Sequence, residues 1–245
     1  MKTAGPIHIG TSGWHYGHWR GPFYPETLGS EGFLEFYARH FHTVEINNSF
    51  YRLPTERTLS SWRNSVSPGF IFAVKGSRFI THMKKLKDPE RSLAPFLERV
   101  ALLKDKLGPI LFQLPPGWHV NRERLAAFLT ALPETWRYTL ELRDQSWIND
   151  QVLDLLRQHN VAFCIYDLAG YLSPLEITAD FVYIRLHGPG GPYQGRYLAQ
   201  TLEGWAGTIA AWSRQGREVF CYFDNDEAGF AAQNALELRN LLINR

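Results

Sequence analysis

The sequence predicts a single (β/α)8 barrel of the TIM type, somewhat irregular, spanning residues 1–245. Three observations lead there. Eight short apolar runs recur, at residues 7–11, 43–46, 70–75, 110–114, 138–143, 162–167, 181–187 and 219–224. Their starts lie roughly 20 to 40 residues apart, the scale of one strand–helix unit in a barrel of about 250 residues. Several are almost continuously apolar, as parallel strands buried on both faces are, and most end in a polar or charged residue, where such barrels build their sites. A doubly wound open sheet is the alternative; eight similar units favour closure.

The stretches between the strands read as helices. Residues 31–40 follow the first strand. Residues 55–63 follow the second, with Thr55 as cap after Pro54. Residues 89–106 carry an apolar stripe at Leu93, Phe96, Leu97, Val100 and Leu103 that Leu107 extends, with Asp88 as cap and Pro89 in first position. Residues 121–132, 150–159, 201–215 and 226–242 complete the set, while 168–180 is weak for a helix and marks a degenerate unit. No Pro/Gly/Ser-rich linker divides the chain.

The 44% hydrophobic and 20% charged content places the chain among ordinary globular proteins. A net charge of +2 is too mild to demand a nucleic-acid partner. Cys164 and Cys221 lie inside apolar runs and read as small buried side chains, not as a disulfide. MKTAGPIHIG contains neither a signal peptide nor an anchor, and no run is long enough to span a bilayer. A cytoplasmic protein with no membrane partner is expected; the oligomeric state is not readable.

Side chains two apart on a strand share a face, so Glu45 with Asn47, Glu141 with Arg143, and Arg185 with His187 point the same way. A charge turned toward the helices would be costly to bury, whereas at the mouth of the barrel it meets its neighbours and solvent. Lys75, Gln113 and Asp167 end other strands. Arginine binds carboxylate or phosphate bidentately, so the mixture suits a polar, anionic or phosphorylated substrate, with a carboxylate or His187 moving protons. The pair Glu45 and Glu141 also raises glycoside hydrolysis, though the chain does not give their separation. His187 alone sits at a strand end among the histidines, so no metal is expected and a metal there is the lesser alternative.

Two loops stand out. TSGWHYGHWRGPFYP gathers Trp14, Tyr16, Trp19, Phe23 and Tyr24, rings that either stack on a ligand or pack a small core of their own. HGPGGPYQGRY has glycines that could bring backbone N–H groups to a phosphate, although Asp224, Asp226 and Glu227 would repel it and also read as helix caps.

The phrases GTSGWHYGHWRGPFYP, VEINNSFYRLP, FIFAVKGSRFITH, LGPILFQLPP, LELRDQSW, VYIRLHG and FDNDEAGFAAQNA occur in this order over nearly the whole chain. Together they resemble the YecE-like family, also called the domain of unknown function 72 family. The resemblance implies an irregular (β/α)8 barrel with polar motif positions at Glu45, Asn47, Lys75, Gln113, Glu141, Arg143, Arg185, His187 and Asn225. Many relatives have asparagine where this chain has Asp224. The family brings no settled activity.

The favoured reading is an enzyme acting by acid/base chemistry on a small polar, anionic, phosphorylated or sugar-like substrate, without a redox cofactor. Glu45, Glu141 and His187 are the candidate catalytic groups. Asn47, Lys75, Gln113, Arg143, Arg185, Asn225 and Trp14 are the candidate binding groups. Lys75 could form a Schiff base, but the neighbouring carboxylates argue against it. The alternatives are phosphodiester processing of nucleic acid, resembling barrel-type apurinic-site endonucleases, and a barrel that binds a ligand without turnover.

Overall fold

The computed structural model describes residues 3–244. Eight parallel strands form the barrel: β1 (Ile7–Thr11), β2 (Thr43–Ile46), β3 (Ile71–Lys75), β4 (Leu107–Gln113), β5 (Tyr138–Glu141), β6 (Ala162–Leu168), β8 (Phe181–Leu186) and β9 (Glu218–Phe223). The two-residue β7 (Tyr171–Leu172) folds back antiparallel on β6. The order is β1-β9-β8-β6-β5-β4-β3-β2.

The remaining seam, β1 against β2, is sealed differently. Among the described residues only Ser12 and Glu45 bridge it, with the Gly13 N–H donating to the Glu45 carbonyl at 2.8 Å. Lower down, Tyr37 takes the place of a ladder bond. The Thr11 N–H donates to its hydroxyl at 2.9 Å, and that hydroxyl donates to the Thr43 carbonyl at 3.1 Å. Gly10 makes room, since a Cβ there would lie 2.4 Å from the Thr43 oxygen. A nearly closed barrel results.

Helices α1 (Phe33–His40), α2 (Glu56–Asn64), α3 (Pro89–Val100), α4 (Arg122–Thr130), α5 (Asp150–Gln158), α6 (Ala199–Arg214) and α7 (Phe230–Ile243) surround it. No helix packs between β6 and β8, as the weak pattern of 168–180 implied. Thr55 caps α2, its hydroxyl accepting from the Thr58 N–H. Three expectations need correction. Asp88 makes no side-chain cap and lies at φ +50°, so Pro89 alone opens α3. The stripe beyond Val100 continues as a 3-10 turn broken at Lys104, and Leu107 begins β4. Helix α7 starts at Phe230 after Gly229, so Asp224 and Asp226 cap nothing there.

Alternation along the strands divides the core in two. Outward residues pack beneath the helices. Inward residues fill the barrel, where small Ala73 and Ala162 make space for Tyr183, Phe220 and Tyr222. Interdigitation of large and small side chains fills such an interior without a pore. Cys164 lies inside the barrel and Cys221 outside it, both free and buried. The amino end is closed by Glu218, which meets His8 at 2.7 Å and Arg137, with the His8 ring stacked on Phe220. Among the described residues no helix is long and apolar enough to cross a membrane.

Candidate functional site

The layer above the barrel's aromatic filling is ionic. Inward positions at the carboxyl ends of the strands bring Glu45, Lys75, Gln113, Glu141 and Arg185 to one place, and His187, Arg143 and Asp224 join them one step beyond. The register puts Gln113 level with Glu141 and Arg185 level with Tyr222.

Arg185 is the hub. Its Nε donates to Glu45 at 3.1 Å, its Nη1 to Glu141 at 2.8 Å, and its Nη2 to Glu45 at 2.7 Å, Ser12 at 2.9 Å and Asp224 at 3.0 Å. Burial alone would weaken its charge, but the three carboxylates outweigh burial and hold its pKa well above the ordinary value. Glu45 also accepts from the hydroxyls of Ser12 and of Tyr183, the latter at 2.6 Å. Ser12 in turn accepts from Asn47 at 2.6 Å. Burial would raise the pKa of Glu141, yet Arg143, then Arg185 and His187, bring it well below the usual carboxylate range. Asp224 is lowered in the same way, chiefly by Arg185 and His187 against the effect of burial.

His187 is fully buried in this field. Its Nδ1 lies 3.0 Å from Asp224. Its Nε2 has both a donor and an acceptor within reach, Arg143 Nη2 at 3.0 Å and Glu141 Oε1 at 3.2 Å. A neutral ring protonated on Nδ1 accepts from Arg143; a protonated ring donates to Glu141. Each charge state of the ring therefore finds a hydrogen-bond partner.

The cations differ in what they leave free. Arg185 is consumed by the network. Arg143 donates to Glu141 through Nε and to His187 through Nη2, lies over the Tyr166 ring, and keeps Nη1 without a protein partner among the described residues. Lys75 is nine-tenths buried, yet its ammonium has no carboxylate within 4.0 Å among the described residues and meets the Phe50 ring, 4.7 Å away. Burial and then the charge of Arg185 lower its pKa to about 8, and Glu141, Asp224 and Glu45 offset only part of that. Three carboxamides have a buried oxygen without a partner: Asn47, Gln113 and Asn225. The amide nitrogen of Asn225 is used, donating to the Gly195 carbonyl at 2.8 Å and to Asn234.

Other expected positions fall elsewhere. Asp167 turns outward from β6 and is half-buried beside Tyr197, where burial raises its pKa. Trp14 is buried edge-on to Trp62 and lines a cleft of 510 Å³ between α1 and α2, which Asn47 and Tyr16 also line. Trp19, Phe23 and Tyr24 pack with Phe33 and Tyr37 and join the core between barrel and helices. In the glycine loop, the N–H groups of Gly188, Gly190 and Gly195 donate to Tyr197, Gln194 and Glu227, so they are not turned to a phosphate. The loop instead lays Tyr193 edge-on to His187, ring centroids 5.6 Å apart. Sequence reasoning missed Ser12, Tyr183 and Asp224 as members of the network. Tyr183 was legible, since it shares a face with Arg185 two residues on. Among the described residues no set of three or more His, Cys, Asp or Glu side chains is placed to hold a metal ion.

A ring of parallel strands with a hydrogen-bonded ionic layer at its carboxyl end defines a (β/α)8-barrel protein whose candidate site lies where that fold carries its chemistry. Residues 8–245 match the family model described as "Protein of unknown function DUF72", and the chain belongs to this family. It is 32% identical to UPF0759 protein YecE of Escherichia coli O157:H7 over 84% of this chain and 82% of that one. With UPF0759 protein YunF of Bacillus subtilis it shares 26% identity over 96% of this chain and 94% of that one. The crystal structure of a DUF72 family protein from Thermotoga maritima superposes with a TM-score of 0.86 at 28% identity, covering 97% of this chain and 99% of that one. A DUF72 family protein from Enterococcus faecalis shares the fold at 21% identity, with a TM-score of 0.80 over 97% and 95% of the two chains.

Proposed function

We propose that the protein is an enzyme that binds a small polar anion at the carboxyl end of the barrel and moves a proton on it. The observation that carries this reading is His187, held between Asp224 and the Glu141–Arg143 pair so that either of its charge states is hydrogen-bonded. A group that carries a proton in a reaction is held in place in both of its charge states, as His187 is here. Arg143 supports the anionic end of the substrate, because Nη1 is its remaining fork. Gln113 and Asn47 offer amide oxygens to substrate hydroxyls. Arg185, Glu45 and Ser12 are positioning residues in this scheme: they hold one another, and through them Glu141 and Asp224.

The test uses lactate, pyruvate and glycerol phosphate as probes. A probe that occupies the site raises the melting point of the wild-type protein, by about 2.7 kcal/mol of stabilisation at 100 times its Kd. Arg143→Gln removes that rise. In deuterated water, the carbon-bound hydrogen of the bound probe exchanges with solvent in the wild type and not in His187→Gln. Melting points unmoved by every probe, or moved equally in wild type and Arg143→Gln, overturn the reading.

A further inference from the structure

We propose that Lys75 is a covalent nucleophile that forms an imine with a small aldehyde or ketone bearing an anionic group. The inference rests on the preceding reading of the site and names its substrate class as carbonyl compounds.

The geometry that points to it is a contrast within one cluster. Glu45, Glu141 and Asp224 are each hydrogen-bonded to Arg185, and Glu141 also to Arg143. The carboxylates that would keep a lysine protonated are thereby committed elsewhere. Lys75 enters the mouth from β3 with no ion pair or hydrogen bond at Nζ among the described residues, resting against an aromatic face. Lys106, buried to the same degree, donates to the carbonyls of Arg63 at 2.7 Å and Val66 at 2.6 Å. A structural buried lysine in this protein is thus hydrogen-bonded twice, whereas the Lys75 ammonium has no such bond among the described residues. Its lowered pKa, about 8, follows from the same placement and leaves roughly a tenth of the amines neutral near pH 7. A desolvated amine beside another cation is the environment that activates lysine toward carbonyl carbon. Gln113, ending the adjacent strand, and Arg143, beyond the next, lie on the side toward which such a substrate would extend its oxygen functions.

The step balances without a further reagent. The Nζ lone pair forms a bond to the carbonyl carbon, and the π pair moves to oxygen, which takes one proton from the attacking nitrogen. A second proton, supplied by solvent, reaches that oxygen. The C–O bond breaks, water leaves, and the nitrogen pair closes the C=N bond as a protonated imine.

The test begins with formaldehyde and cyanoborohydride on the wild-type protein near neutral pH, with methylation of each lysine followed by peptide mass spectrometry. From neutral fractions alone, an amine of pKa about 8 outpaces an ordinary lysine by on the order of 100-fold. Even with access reduced by burial, Lys75 is expected to react at least about 10-fold faster than the exposed Lys85 and Lys87. Borohydride added with pyruvate or with dihydroxyacetone phosphate is then expected to fix one adduct, on the peptide holding Lys75, absent from Lys75→Arg and weakened in Arg143→Gln. Methylation of Lys75 no faster than that of Lys85 and Lys87 overturns the nucleophile. Rapid methylation without an adduct from either anionic carbonyl overturns the substrate class. Either failure leaves anion binding at Arg143 and proton exchange at His187 untouched, so the two proposals fall separately.

Discussion

Replacing Lys75 with methionine should make the protein more stable. The side chain is nearly as long and as bulky, and it removes a charge that the fold buries without a carboxylate partner among the described residues. The lowering of the Lys75 pKa from 10.5 to about 8 corresponds to about 3 kcal/mol of destabilisation below the folded value, at 1.36 kcal/mol per pH unit. The sign follows from linkage. Between about pH 8 and pH 10.5 the unfolded chain binds the proton that the folded protein releases, so wild-type stability rises with pH across that window. The advantage of Lys75→Met should therefore be about 3 kcal/mol near pH 7 and less than half of that near pH 9.5. In a chain of this size it appears as roughly 6 to 12 °C in Tm near neutral pH. Lys106→Met is the control and should move the other way. It strips the buried Val66 carbonyl of its donor, at about 1–3 kcal/mol, and the part-buried Arg63 carbonyl as well. Urea denaturation of both variants at the two pH values reads the effect. A Lys75→Met protein less stable than wild type, or a difference indifferent to pH, would refute the picture of an unpaired, desolvated amine.

Two further outcomes follow from the network and the seam. Glu141 and Asp224 have depressed pKa values in the folded protein, so their contribution is present above the unfolded carboxylate value near about pH 4 and is lost as pH falls through the folded values. Asp224→Asn should flatten the acid limb of a stability-against-pH curve, and an acid limb identical to wild type would discount Asp224 as a charged member. Tyr37→Phe leaves the Thr11 N–H and the Thr43 carbonyl without their shared hydroxyl and should cost about 1–3 kcal/mol. Hydrogen exchange at Thr11 should accelerate while exchange at β5 does not; unchanged protection at Thr11 would mean that the seam does not depend on Tyr37.

The repeating apolar runs set the fold, because strands buried on both faces require continuous apolar sequence and their spacing leaves room for one helix each. The missing helix between β6 and β8 was legible for the same reason: residues 168–180 carry no helical stripe. Period-two alternation also determined that Glu45, Glu141, Arg185 and His187 face one mouth, since burying them against the helices would have been too costly. What only the tertiary structure decided is how those charges divide among themselves. Arg185 and Lys75 look alike in sequence, two cations at strand ends. Yet one is saturated by three carboxylates from different strands and the other, among the described residues, by none, and that depends on distances across the barrel that no local pattern encodes. For Asp224, at the end of the eighth strand, the sequence left a helix-cap reading open beside a place at the mouth; the turn at Gly229 delays α7, and the carboxylate meets His187 instead. Local sequence specifies which groups reach the mouth; pairing there is a competition in three dimensions, settled by which charges the folded barrel holds within hydrogen-bonding distance.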